Sequence, residues 1–229
     1  LVVSRGCPSH CTFCARPVYE NLGTRNSADY VIAMMKDLRD KYGIREIQFR
    51  DDNFTVFRGR LMELCAKLVE QKLNFTWTCL ARADNVNPEV LKAMKKAGCW
   101  QIWYGVESGS QKVLDLIKKG ITVKQIRQTV KWTNEAGIKA CGFFIMGHPG
   151  ETHETIQETI DMALDLELEE CHASFMTPLP GSDLYLTWQE HGTFDPDWRK
   201  LNGWMPVFIP HGFTVDELKA FSNQFHSRF

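Results

Sequence analysis

The run Leu1-Val2-Val3-Ser4-Arg5-Gly6-Cys7-Pro8-Ser9-His10-Cys11-Thr12-Phe13-Cys14 begins with a short apolar stretch and drops at once into a loop with three cysteines. A brief apolar run that ends in a glycine and a polar loop is how a buried parallel strand delivers its chain to the edge of a sheet. The same unit returns about every 30 residues. After a strand at residues 1–4, further strands are read at 44–49, 75–80, 100–106, 138–146 and 171–176.

Helical patterns fill the gaps between these runs. The first starts at Ser27, whose hydroxyl suits an N-cap, places Val31, Met35, Leu38 and Tyr42 on one inward face, and stops at Gly43. The second turns Leu61, Leu64 and Leu68 inward, the third starts with Pro88 and closes at Gly98, and two more are read at 110–118 and 122–136. A last one carries Ile156, Ile160, Ala163 and Leu164. Six βα units predict an α/β fold, a partial (β/α)6 TIM-type barrel over residues 1–181; a doubly wound open sheet has the same one-dimensional pattern. The lack of Gly-x-Gly-x-x-Gly after the first strand counts against the dinucleotide-binding version. Residues 182–229, broken by prolines and carrying Trp188, Trp198 and Trp204, read as the start of a C-terminal extension whose tryptophans pack in a core.

Composition narrows the function. The 229 residues carry 27 Lys and Arg against 28 Asp and Glu, with no basic run to meet a phosphate backbone or an anionic membrane. The longest apolar stretch, 140–146, is far below the roughly 18 residues of a membrane span. The chain reads as cytoplasmic and, opening on Leu1 inside a strand, as a piece of a longer polypeptide.

Eight cysteines lie at 7, 11, 14, 65, 79, 99, 141 and 171. Five are scattered through apolar segments and read as small core residues. The other three form Cys-x₃-Cys-x₂-Cys, an array that chance would produce about 0.01 times at this cysteine frequency. Three thiolates in one loop suit zinc or iron-sulfur iron. Zinc would need a fourth ligand, for which His10 is the candidate; a four-iron cluster with three cysteines would keep one iron open to a small molecule.

The spacing, its place after the first strand and Phe13 ahead of the third cysteine resemble the hallmark of the radical S-adenosylmethionine (SAM) superfamily. The resemblance implies that Cys7, Cys11 and Cys14 hold a 4Fe-4S cluster, that Phe13 lies near SAM, and that reductive cleavage of SAM yields methionine and a 5′-deoxyadenosyl radical for hydrogen abstraction. It also implies roles after the later strands. Asp51 or Asp52 would accept from the SAM ammonium, or else cap a helix. Arg82 would meet the SAM carboxylate, or else pair with Asp84. Glu107 and Ser108, in Gly105-Val106-Glu107-Ser108-Gly109-Ser110, match the ribose-binding segment, with helix capping as the other reading of Glu107. Gly147 matches the adenine-packing Ile-x-Gly segment, and Glu151 reads as a cap of the next helix. His148 and His172, near strand ends, read as structural before catalytic.

Cys-Pro-x-x-Cys-x-Phe-Cys, Asp-Asp-Asn-Phe, Gly-Val-Glu-Ser-Gly-Ser and Gly-His-Pro-Gly-Glu-Thr together are most similar to the cobalamin-linked branch, which includes methylases and the anaerobic magnesium-protoporphyrin ester cyclase. This implies methylation or oxidative cyclisation of a small-molecule substrate, a flavodoxin- or ferredoxin-type electron donor, and cobalamin held by an N-terminal domain ahead of Leu1. The methylthiotransferases share part of the wording and are the alternative within the family. A structural zinc barrel is the alternative outside it.

Overall fold

The computed structural model describes residues 1–15 and 23–228. Five parallel strands lie side by side in chain order: β3 (Glu46–Phe49), β4 (Thr76–Ala81), β5 (Cys99–Glu107), β6 (Lys139–Met146) and β7 (Glu170–Phe175). The opening segment joins this sheet beside β3. Leu1 donates its amino group to Gln48 O at 2.7 Å and accepts from Arg50 N at 2.8 Å, which is parallel pairing. It then peels away, and its β1 (Ser4–Arg5) pairs antiparallel with β2 (Thr24–Arg25). The six strand runs read from the sequence are therefore present, and the open sheet with helices on one side is a partial barrel.

The helices follow from their caps. Ser27 Oγ accepts from Tyr30 N at the start of α1 (Ala28–Tyr42), and Gly43 ends it at φ +69°. Pro88 opens α3 (Pro88–Lys96) behind an Asn87 cap, and Thr122 and Thr152 close capping boxes on α5 (Val123–Glu135) and α6 (His153–Asp165). Between them, α2 (Arg58–Glu70) buries Leu61, Leu64 and Leu68, and α4 (Gln111–Leu116) buries Val113 and Leu114.

One expected core position is wrong. Tyr42 is 70% exposed. At about 1.5 Å per residue the 15-residue α1 outruns the four-residue β3 it covers, so its last turn overhangs the sheet.

Side chains alternate across the sheet. Trp77, Tyr104 and Phe144 point to the helices, where the Tyr104 hydroxyl meets Thr133 Oγ1 at 2.8 Å. The scattered thiols of Cys65, Cys79, Cys99, Cys141 and Cys171 are buried, and burial pushes the Cys65 thiol up to about 12. The opposite, concave face is half-open. On it Trp103 stacks on Phe143 and His172 at centroid distances of 4.6 and 5.1 Å. His172 is thus a stacking residue partway along β7.

Beyond residue 181 the chain forms α7 (Asp183–Thr187), a hairpin of β8 (Gly192–Phe194) and β9 (Phe208–Pro210), and α8 (Val215–Arg228). This extension does not stand apart: Leu218 and Phe225 of α8 belong to the main core, with Phe225 packed 5.3 Å from Phe144. The expected burial of the tryptophans holds in part. Trp188 packs against Phe194, but Trp198 and Trp204 are 73% and 63% exposed, because the short turns that carry them have no second layer to cover the rings.

Candidate active site

Every segment singled out after a strand lies at the C-terminal edge of the parallel sheet, the edge where barrel enzymes place their sites. Gly6, at φ +84°, turns the chain out of β1 into the cysteine loop. The loop is pinned from two sides: Thr12 N donates to Ile117 O at the end of α4, and Thr12 O accepts from Leu184 N at the start of α7, both at 3.0 Å. Inside it Cys14 N donates to Cys11 O at 3.2 Å. Cys7 is half-buried, Cys11 is buried and Cys14 is exposed. Burial pushes the Cys11 thiol up, against the opposing pull of Lys119 and Arg82.

Two N–H groups from later strands point at the sulfurs. Arg82 Nη1 lies 3.6 Å from Cys11 Sγ, and Asn53 Nδ2 lies 4.0 Å from Cys7 Sγ. The rest of the Arg82 fork is engaged, with Asp84 in a two-point pair at 3.0 Å each and with Lys119 O at 2.6 Å. The pairing with Asp84 weighed from the sequence is the one seen here.

Asp51 and Asp52 face the cysteine loop. Asp51 Oδ1 accepts from Val3 N at 3.0 Å, from Ser4 N and from Ser4 Oγ at 2.6 Å, and Asp52 Oδ2 accepts from Gly6 N at 2.7 Å. Neither carboxylate caps a helix, since α2 starts at Arg58 behind Phe57.

Glu107 sits at φ +65° at the end of β5, buried, with Oε1 2.6 Å from Lys119 Nζ. It does not cap the next helix. Ser108 is fully buried and works inward, bonding Thr159 Oγ1 at 2.9 Å and accepting from Ser110 N at 3.1 Å. Gly147 turns at φ +88°, and its N–H and that of His148 both donate to Glu151 Oε2, at 2.7 and 2.9 Å. The cap expected of Glu151 is supplied by Thr152 instead; Glu151 clamps the turn after β6, and burial pushes its pKa up to about 8. His148, fully buried against the edge of Phe13 at 5.8 Å, is held down to about 3 by burial.

Sequence reasoning missed Lys119 and Asn53. Lys119 lies in a loop between two helices and reads as solvated, yet it is 5% exposed beneath Glu107. The signal lay in Lys118-Lys119-Gly120, where positive φ at Lys118 and Gly120 turns one lysine inward.

The donor set can be tested against the cofactors. Thiolates suit iron-sulfur iron, and N–H donors aimed at two of the three sulfurs suit sulfurs that carry negative charge. The three cysteines fit a cluster. For the zinc alternative, a closed site needs four converging ligands. Among the described residues no three His, Cys, Asp or Glu side chains, the three cysteines of the loop included, are gathered on a single ion, and His10, the fourth zinc ligand read from the sequence, is exposed.

The profile of the radical SAM superfamily matches residues 1–163. This chain belongs to that superfamily. Similar proteins include an uncharacterized methyltransferase of Pyrococcus horikoshii, 35% identical over 208 residues that cover 86% of this chain and 45% of that protein. The cytidylyl-2-hydroxyethylphosphonate methyltransferase of Streptomyces wedmorensis is 33% identical over 209 residues, 86% of this chain and 38% of that one. Among solved structures, the radical SAM methyltransferase TsrM of Kitasatospora setae, with cobalamin and a [4Fe-4S] cluster bound, matches with TM-score 0.77 at 17% identity over 98% of this chain and 46% of its own. At that identity the likeness concerns the fold. The chain spans less than half the length of each of the three. No helix among the described residues is long and apolar enough to cross a membrane.

Proposed function

We propose that residues 1–229 form the catalytic core of a radical SAM methyltransferase, in which Cys7, Cys11 and Cys14 hold a 4Fe-4S cluster. The observation that carries this reading is the three-thiol loop at the C-terminal edge of the sheet, with Arg82 and Asn53 aimed at its sulfurs. Held by these three thiolates and reduced by an external electron donor, a cluster would supply the electron for reductive cleavage of SAM to methionine and a hydrogen-abstracting 5′-deoxyadenosyl radical.

The chain's own part is to bind, orient and exclude water. Phe13 sets an aromatic wall between the loop and His148. Glu107 is the candidate acceptor for a sugar diol, and its Oε1 is held by Lys119 Nζ at 2.6 Å. Arg82 serves the cluster through Cys11 and stays a candidate for the SAM carboxylate. The turn at Gly147, fixed by Glu151, is the candidate adenine contact.

Methyl transfer is supported by the two methyltransferase relatives; oxidative cyclisation of a small molecule is the second outcome the same radical allows. Cobalamin, bound by a domain ahead of Leu1, would carry the methyl group, and a flavodoxin- or ferredoxin-type protein would supply electrons. On this reading residues 1–181 make the core barrel and 182–229 its C-terminal closure.

The test is anaerobic purification with iron and sulfide analysis, then addition of SAM and dithionite and assay of 5′-deoxyadenosine. Wild type should hold about four irons and release the nucleoside, and Cys11→Ala should abolish both. A colourless protein holding zinc, or undiminished nucleoside from Cys11→Ala, would overturn the proposal.

A further inference from the structure

We infer that the consecutive residues Asp51, Asp52 and Asn53 are a clasp that presets the cysteine loop before a cluster enters it. The inference rests on the reading of Cys7, Cys11 and Cys14 as cluster ligands. Three neighbouring side chains meet three successive points of the chain, from the end of the opening strand to the first cysteine of the loop. Asp51 takes Val3 and Ser4, Asp52 takes the Gly6 N–H, and Asn53 reaches the Cys7 sulfur.

The physical need for a clasp lies in how the first strand ends. Leu1 is paired with β3 by backbone bonds, and two residues later the chain swings away to pair with β2. Where the ladder with β3 stops, the backbone N–H groups of Val3, Ser4 and Gly6 need other acceptors, and unpaired buried donors are costly. The side chains that follow β3 replace that ladder. Asp51 is fully buried, and its Oδ1 alone accepts all three of these hydrogen bonds, while its Oδ2 meets no partner among the described residues. Asp52 satisfies the N–H of a glycine that turns at φ +84°.

Asn53 cannot swing. Its Oδ1 accepts from Thr55 Oγ1 at 3.1 Å and its Nδ2 donates to Asn85 Oδ1 at 2.6 Å, so its N–H side is fixed toward Cys7. The three are positioning residues. Their effect is to reduce the ordering that cluster binding must otherwise bring about, as outer-shell partners do at metal sites.

The test uses Asp52→Ala, because Asp52 is exposed and its bond to Gly6 can be lost without opening the core. In the metal-free protein, amide exchange at Gly6 should speed up about tenfold, the effect of losing one hydrogen bond to a charged acceptor. In the reconstituted protein, loss of iron to a chelator should speed up by a similar factor. Asp52→Asn, whose amide oxygen still accepts from Gly6, should restore most of both, which a general loosening of the fold would not. If wild type loads iron and sulfide but Asp52→Ala exchanges and retains its iron as wild type does, the clasp is overturned and the cluster reading stands. If wild type takes up no cluster, both fall.

Discussion

Replacing Lys119 by methionine should be among the most damaging single changes near the site. Lys119 and Glu107 side chains are 5% and 10% exposed and 2.6 Å apart, and Lys119 Nζ is the only cation bonded to Glu107 among the described residues. Methionine keeps the length and the backbone, and so spares the Arg82 bond to Lys119 O, but it strands a carboxylate in a dry pocket. Breaking a buried pair from one side costs about 3–5 kcal/mol, a fall in Tm of roughly 6–20 °C for a chain of this size. Urea unfolding with linear extrapolation measures the loss, and the double variant Lys119→Met, Glu107→Gln should recover much of it, since an uncharged pair leaves no stranded charge. A single variant within 0.5 kcal/mol of wild type, flagged as about the usual surface effect, with no relief in the double variant, would refute the buried-pair account.

Two further outcomes are expected. Gly109→Ala should destabilise by about 1–3 kcal/mol, because a Cβ there would lie 2.7 Å from Thr159 Cα and 2.8 Å from Met162 Cβ in α6, neither of which can swing aside; wild-type Tm for this variant would disprove the close packing. Glu151, with a folded pKa of about 8 against 4.5, keeps a proton that the unfolded chain releases, so its contribution to stability is present below pH 4.5 and is lost as pH rises toward 8. His148 works the other way, losing stability as pH falls from 6.5 toward about 3, so the Glu151 effect stands alone between 6.5 and 8. There wild type should lose up to about 1.4 kcal/mol per pH unit and Glu151→Gln should not; parallel stability curves for the two would reject the assignment.

What the sequence made legible was whatever rests on local pattern. Strands were readable because each buried run is short and bounded by glycine or a polar loop, and helix ends because Ser27, Gly43, Pro88 and Thr122 act within a few residues of themselves. The cysteine loop was readable because its ligands share one loop. The partners of the candidate site were harder. Asp51 owes its role to Val3 and Ser4, 48 and 47 residues away, and Lys119 owes its burial to Glu107 across a helix. A carboxylate's type and place do not say which of several donors it will meet. Trp198 and Trp204 misled for the opposite reason, since a large apolar ring suggests a core and only tertiary structure shows that no layer lies over it.

The strands from β3 to β7 stand in the sheet in the order in which they are encoded. A growing chain can therefore add each strand to an edge that has already formed, with loop closures of only about 30 residues and no waiting for a distant partner. The cysteine loop is made earlier than these groups that hold it: Asn53 comes with the second unit, Arg82 with the third, Ile117 after the fourth and Leu184 after β7, the last strand of the parallel sheet. Its thiols thus leave the ribosome before their setting is complete, so the order of synthesis favours filling the site after translation of the core.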